Sequence, residues 1–260
     1  MNRQKTVWWV LSAAVVVVVA AVSVSGLVAW LLREHHTGQT RYRAAEVKSV
    51  ELDTGPGTVQ VFPTTDSSAS VTQNLSWVFS RPTVNEWLDR GSGTLHVDAS
   101  CAYGMLLVGS SCDIRLDIAV PAATPIKAVD GSGQLTVTAM TGPVDAQAGS
   151  GEIDLEHVSG TVAARVGSGQ ISGSDLGSPQ VVAKAGSGRI GLDFALPPAT
   201  VTAAVSSGQA SVSVPRGQQY RVTASAISGN TDVAAGLSSP TASATITVSV
   251  TSGEADVNYR

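Results

Sequence analysis

Seven Ser-Gly pairs recur along the second half of the chain, and no other feature restricts its fold so strongly. The glycines are Gly133, Gly151, Gly169, Gly188, Gly208, Gly229 and Gly253, preceded by Ser132, Ser150, Ser168, Ser187, Ser207, Ser228 and Ser252. The interval between pairs grows from 18 residues at the first to 24 at the last. Self-similarity at a period of about 20 residues is the signature of a stacked repeat architecture. Two positions after each glycine stand Leu135, Ile153, Ile171, Ile190, Ala210, Thr231 and Ala255, and four after stand residues such as Val137, Leu155, Leu192 and Val257. The positions between are polar, from Gln134 and Glu152 to Asn230 and Glu254. Upstream the alternation continues, as in Val144, Ala146 and Ala148. Alternation with period two on both sides of a Gly turn predicts two half-buried strands per repeat.

A two-strand unit of this length has nothing to bury its apolar face against, and stacking successive units supplies it. The expected fold is therefore all-β, a single-stranded β-helix or β-solenoid, regular over residues 128–260. The Ser-Gly pairs serve as its structural turns, and the Gln and Ser columns would pair with their own copies one coil away. Helix is excluded because Gly-Ser-Gly recurs where helix interiors would fall. The inward column changes from Leu and Ile to Ala and Thr while the interval lengthens, which predicts loosening toward the C-terminus. The last strand would then present an open edge, read either as a docking edge for another protein or as one guarded by Glu254, Asp256 and Arg260.

Residues 46–127 read as irregular first coils, with weaker turns at Gly57 and Gly93. Val71, Leu75, Trp77 and Phe79 suggest a strand interrupted by Gln73, and Ile114 to Val120 a clear strand ending at Pro121. Trp87 and Leu88 are expected to plug the N-terminal end of the core.

The compartment is read from the N-terminus. Val7 to Leu32 is uncharged over 26 residues, bordered by Trp8, Trp9 and Trp30. At about 1.5 Å per residue such a helix exceeds the hydrocarbon thickness of a bilayer, and it is longer than the apolar region of a cleaved signal peptide. The expected layout is a cytoplasmic tail at 1–6, a transmembrane helix at 7–32 and a polar tether at 33–45. The remainder is a C-terminal domain outside the membrane, with localisation at the cell membrane as a single-pass protein. Arg3 and Lys5 favour a cytoplasmic N-terminus, though Arg33, Arg41, Arg43 and Lys48 flank the other side. The two cysteines, Cys101 and Cys112, are a candidate disulfide, which persists only in an oxidising space. Between them Met105, Leu106, Leu107 and Val108 form an apolar run, read either as a contact loop for a partner or as a lid on the solenoid.

From Leu116 to Val257 the chain resembles the toastrack-type adhesin-like domains of bacterial surface proteins. The pieces that carry this are LDIAVPAAT, DGSGQLTV, AGSGEIDL, VGSGQISG and AGSGRIGL. The resemblance implies a β-helical domain, often on a single-pass anchor, in a family with no assigned catalytic residues.

No pattern for chemistry emerges. Catalysis needs one serine in a unique environment, not seven equivalent ones, and no GxSxG elbow is present. The turns lack a phosphate-binding GK[ST] signature and the acids of calcium-binding β-rolls. Neither His96 nor His157 completes a metal pattern with the cysteines. No catalytic residue, metal or cofactor is expected. Glu152, Asp154 and Glu156 share one outward strand face and read as a solvated surface. Net charge is −4 with no basic patch, so nucleic acid is not an expected partner. The expectation is a binding or structural module of the bacterial cell envelope, integral to the membrane, meeting an envelope protein or cell-wall glycan. The alternatives are an enzyme acting on envelope polysaccharide and an envelope-stress sensor coupled to a membrane signalling partner.

Overall fold

The computed structural model describes residues 33–101 and 111–260, together with Val15, Val16, Val19 and Ser23, which are helical and exposed. The anchor and the apolar run Met105, Leu106, Leu107 and Val108 otherwise lie outside the described residues. No helix among the described residues is long and apolar enough to cross a membrane.

The domain is an all-β, solenoid-like stack. In chain order its strands are β1 (Glu34–Arg43), β2 (Ser49–Pro63), β3 (Ser68–Val78), β4 (Thr83–Asp89), β5 (Thr94–Ser100), β6 (Ser111–Val120), β7 (Ile126–Thr138), β8 (Val144–Glu156), β9 (Val162–Leu176), β10 (Gln180–Phe194), β11 (Thr200–Val214), β12 (Arg221–Val233) and β13 (Thr245–Tyr259). A single 3-10 turn, Ala44–Glu46, follows β1. Strands β2, β7, β8, β9, β10 and β11 stack in parallel with matching residues in register, so that Ile153 lies between Leu135 and Ile171.

Each repeat is one continuous strand, not two strands joined by a turn. The Ser-Gly pair is a corner within it, and both arms pair with the neighbouring coil on either side of that corner. In β8 the first arm buries Val144, Ala146 and Ala148, while the second buries Ile153 and Leu155. The inward set changes from even to odd numbers because three residues, Gly149 to Gly151, round the corner. Glycine is required there for want of space. A Cβ on Gly169 would lie 1.9 Å from the carbonyl oxygen of Gly151, and one on Gly188 would lie 1.8 Å from that of Gly169. Gly151 and Gly169 also adopt φ of 152° and 134°, a region that L side chains rarely enter.

The core does not loosen toward the C-terminus. Where the second-arm column shrinks from Ile190 to Ala210 and Ala255, the first-arm column across the corner grows from Ala185 to Val205 and Val250, and all of these stay buried. Volume is exchanged across the corner instead of lost. The longer intervals have another cause: β13 inserts between β11 and β12. The terminal edge is therefore β12, and the expectation that Glu254, Asp256 and Arg260 guard it is corrected. The choice follows burial. Inward residues of β13 are Ile246, Val248, Val250, Ala255 and Val257, whereas β12 offers Val222, Ala224, Ala226, Thr231 and Val233. The more apolar strand takes the interior place.

The N-terminal end departs further from a simple helix of coils. Segment 33–45, expected to be a tether, contains β1, paired antiparallel with β3 along its whole length. Its mixed polar sequence hid it, because an edge strand exposed on nearly every side chain needs no apolar alternation. Antiparallel β3 on β6 and β4 on β5 close this end. Leu88 packs against the core, but Trp87 points outward, 45% exposed, so the expected plug is only half correct. The inward positions here are partly polar: Gln73 and Tyr42 both donate to the Glu86 carboxylate. Phe79, expected inside, has φ 75° and is exposed, and Gly93 makes the hairpin turn from β4 to β5.

Replacing Gly169 by Ala should lower stability by about 3 kcal/mol or more, because a backbone carbonyl cannot move aside without breaking the ladder. The adjacent exposed Ser168→Ala should stay within about 0.5 kcal/mol of the parent. Urea unfolding of the two variants checks both values.

Candidate functional site

The outward surface consists of columns of equivalent residues crossing the strands at about 4.8 Å intervals. All seven corner serines are exposed in one such column, ordered Ser132, Ser150, Ser168, Ser187, Ser207, Ser252 and Ser228. Sequence spacing located each of them but not the final exchange of order. Along their flank runs an open groove of about 710 Å³ lined by the corner glycines with Gln134, Glu152, Gln170, Arg189 and Gln209. The expectation that the amides pair with their own copies is corrected. Gln134 donates to Asp154 at 2.8 Å, Gln170 to Glu152 at 3.2 Å, and Gln209 to both Glu254 and Asp256 at 3.3 Å. A carboxylate is the stronger acceptor, and the column alternates amide and acid often enough to offer one.

This second-arm face is acidic. Its outward positions carry Asp117, Glu152, Asp154, Glu156, Asp193, Asp232, Glu254 and Asp256 against Arg115 and Arg189. Glu152 and Asp154 are half-buried and Glu156 is exposed. Burial, then the neighbouring Asp154 charge, pushes the Glu152 carboxyl above its ordinary range. Among the described residues no group of three or more His, Cys, Asp or Glu is arranged to hold a metal ion.

The first-arm face carries both signs of charge in contact. Lys127 meets Glu51, His96 lies 3.4 Å from Glu51, and Arg165 pairs with Asp145 at 3.2 Å. The Lys127 ammonium donates to Glu51 and holds its carboxyl below the usual range. A trough of about 620 Å³ runs across this face, lined by Glu51, Lys127 and Asp145, with Ala163, Val182, Pro125 and Pro143. Beyond His96 stands Trp87, stacked on the imidazole with centroids 4.8 Å apart and planes 9° from parallel. Sequence reading assigned Trp87 to the core, and this row became visible only once β4 was paired with β5.

Cys101 and Cys112 stand at bonding distance with their Cα atoms 6.1 Å apart. Their place is informative. Ala99 shares the register of Thr54, Asp130 and Ala148, and Arg115 that of Thr58, Gln134 and Glu152. An ordinary coil crosses between these positions with three residues, whereas β5 and β6 are separated there by fifteen. The cysteine pair thus closes the corner of the β5–β6 coil, which has no Ser-Gly pair there.

Below the corner Asp130 is buried in a column otherwise filled by Ala, Val and Thr. Its Oδ1 accepts a 2.9 Å hydrogen bond from Thr54, while Oδ2 has no partner among the described residues. At the other end Arg260 pairs with both Asp175 and Asp193, the latter at 3.4 Å, and ties the C-terminus to earlier coils.

The family model described as Toastrack DUF4097 matches residues 90–260. Among solved structures, a candidate adhesin from Bacteroides fragilis is similar with 15% identity and a TM-score of 0.48, covering 86% of this chain and 97% of that one. A candidate cell adhesion protein from Clostridium sporogenes is similar at 9% identity and TM-score 0.37, covering 87% and 100%. A candidate lipid-binding protein from Parabacteroides distasonis is similar at 9% and 0.34, covering 87% and 97%. No curated protein matches the chain.

Burial raises the Asp130 carboxyl above its ordinary value, only partly offset by the Thr54 hydrogen bond. The folded state therefore holds this proton more tightly than the unfolded chain, whose Asp titrates near about 3.9. The associated stability is complete below that pH and is lost as pH rises through the folded value. Asp130→Asn should be more stable than the parent at pH 7, with the difference shrinking as pH falls toward about 4. Thermal unfolding of the two proteins across this range measures it.

Proposed function

We propose that this chain, which belongs to the Toastrack DUF4097 family, is a binding module of the bacterial cell envelope that acts by contact and not by catalysis. Residues 7–32 would hold it in the membrane as a single-pass anchor, with residues 33–260 outside. The observation that carries the reading is the layout of its surface. Both lateral faces are open troughs built from stacked columns, each spanning several coils, with first-arm charges paired across coils and second-arm carboxylates accepting from Gln side chains of adjacent coils. A rigid face of this kind suits an extended partner lying along the stack. Hydrolysis of a glycan would need an acid and a base converging on one bond. Glu152 and Asp154 instead each accept a hydrogen bond from a Gln in an adjacent coil.

The apolar run Met105 to Val108, between Cys101 and Cys112 in the sequence, supplies a second contact in this proposal. Crosslinking of the full-length protein in intact membranes, compared with a version whose residues 102–111 are replaced by Gly and Ser, tests it. Specific partners should be recovered, and those held by the loop should fall away on its replacement. Recovery of no protein or glycan partner from either version would overturn the binding role.

A further inference from the structure

Resting on that reading of a binding module, we propose that the first-arm trough takes a β-1,4-linked pyranose chain whose end sugar stacks on Trp87, which stands beyond the trough's lining. The indole is fixed before any ligand arrives. One face lies on His96, nearly parallel at 4.8 Å, and His96 is in turn 3.4 Å from Glu51. The residue is nevertheless 45% exposed on an outward strand position, an unusual placement for the most costly side chain to leave in water. His96 covers the indole face turned toward the trough, so the opposite face, at the β4 edge, is the one open to the C–H face of a sugar ring at the end of the chain.

From Trp87 the same column steps across neighbouring strands through His96, Glu51, Lys127 and Asp145. Each step is one strand spacing, about 4.8 Å, close to the advance of one sugar in a β-1,4-linked chain. These side chains retain free lone pairs and N–H groups after pairing, which suits hydroxyls. The charges themselves are matched: Lys127 against Glu51, and Arg165 against Asp145. The trough therefore attracts neither a polyanion nor a polycation, in contrast to the acidic second-arm face. Ala163 and Val182 give a small apolar floor, and the volume of about 620 Å³ is of the size that small-molecule sites occupy.

The test is co-sedimentation of the full-length protein, in detergent micelles, with insoluble chitin and with cellulose, using sulfated dextran beads as the polyanion control. Retention on chitin or cellulose and not on sulfated dextran is expected. Trp87→Ala should weaken it about tenfold and Trp87→Phe much less. Lys127→Ala, at an exposed position, should weaken binding without affecting folding, and Arg43→Ala on β1, outside both troughs, should leave it unchanged. An unchanged urea midpoint identifies folded variants. Retention that is indifferent to both Trp87→Ala and Lys127→Ala overturns the site. Absence of retention on either polymer, while membrane crosslinking still recovers protein partners, overturns the glycan and leaves the binding module standing.

Discussion

The whole stack depends on the backbone of one coil passing directly over the backbone of the next at the corner. Gly151 sits over Gly133, Gly169 over Gly151 and Gly188 over Gly169, with no room for a Cβ between them. That approach lets the hydrogen-bonded ladder run through the corner, so each coil is one long strand pairing on both arms. It also fixes register. A slip by one residue would bring Ser or Gln into the place reserved for Gly and would turn every apolar side chain outward. The inward columns of Val, Ala and Ile then provide the burial, but the glycine column decides which residues occupy them.

Where the corner is altered, the structure compensates locally. The β5–β6 coil has no Gly-Ser-Gly, and the Cys101–Cys112 pair spans the gap instead. The ends are handled differently from each other. At the N-terminal end antiparallel strands cap the core, and Glu86 accepts from Gln73 and Tyr42 where a further apolar layer would otherwise be needed. At the C-terminal end the chain places its most polar repeat, β12, outermost and threads β13 inside it.

The sequence made the repeating part legible because glycine spacing and period-two alternation both report local backbone requirements. Every corner from Gly133 to Gly253 and every inward column from Leu135 to Val257 could be read this way. What escaped were facts of pairing partner. β12 and β13 carry the same Ser-Gly signature and the same alternation, so only a comparison of Thr231 with Ala255, or Ala226 with Val250, distinguishes edge from interior. β1 escaped because Glu34 to Arg43 contributes backbone hydrogen bonds and little burial. The row from Trp87 to Asp145 escaped for a similar reason: its members lie on five strands up to 94 residues apart, and only the sheet brings them into line. The fold was thus more readable than the surface it creates, since turns are local and faces are not.

A stack whose coils lock at every corner is suited to presenting a fixed surface, and its two arms present different ones, mixed in charge on the first and acidic on the second. Both depend on the order of the coils. The most direct test is cysteine crosslinking along the exposed serine column. Neighbouring corners are about 4.8 Å apart, within disulfide range, and next-nearest corners are beyond it. Ser207→Cys with Ser252→Cys should oxidise readily to an internal disulfide, and Ser207→Cys with Ser228→Cys should not. Crosslinking of the second pair in preference to the first would contradict the stacking order, and with it the arrangement of both faces at the C-terminal end.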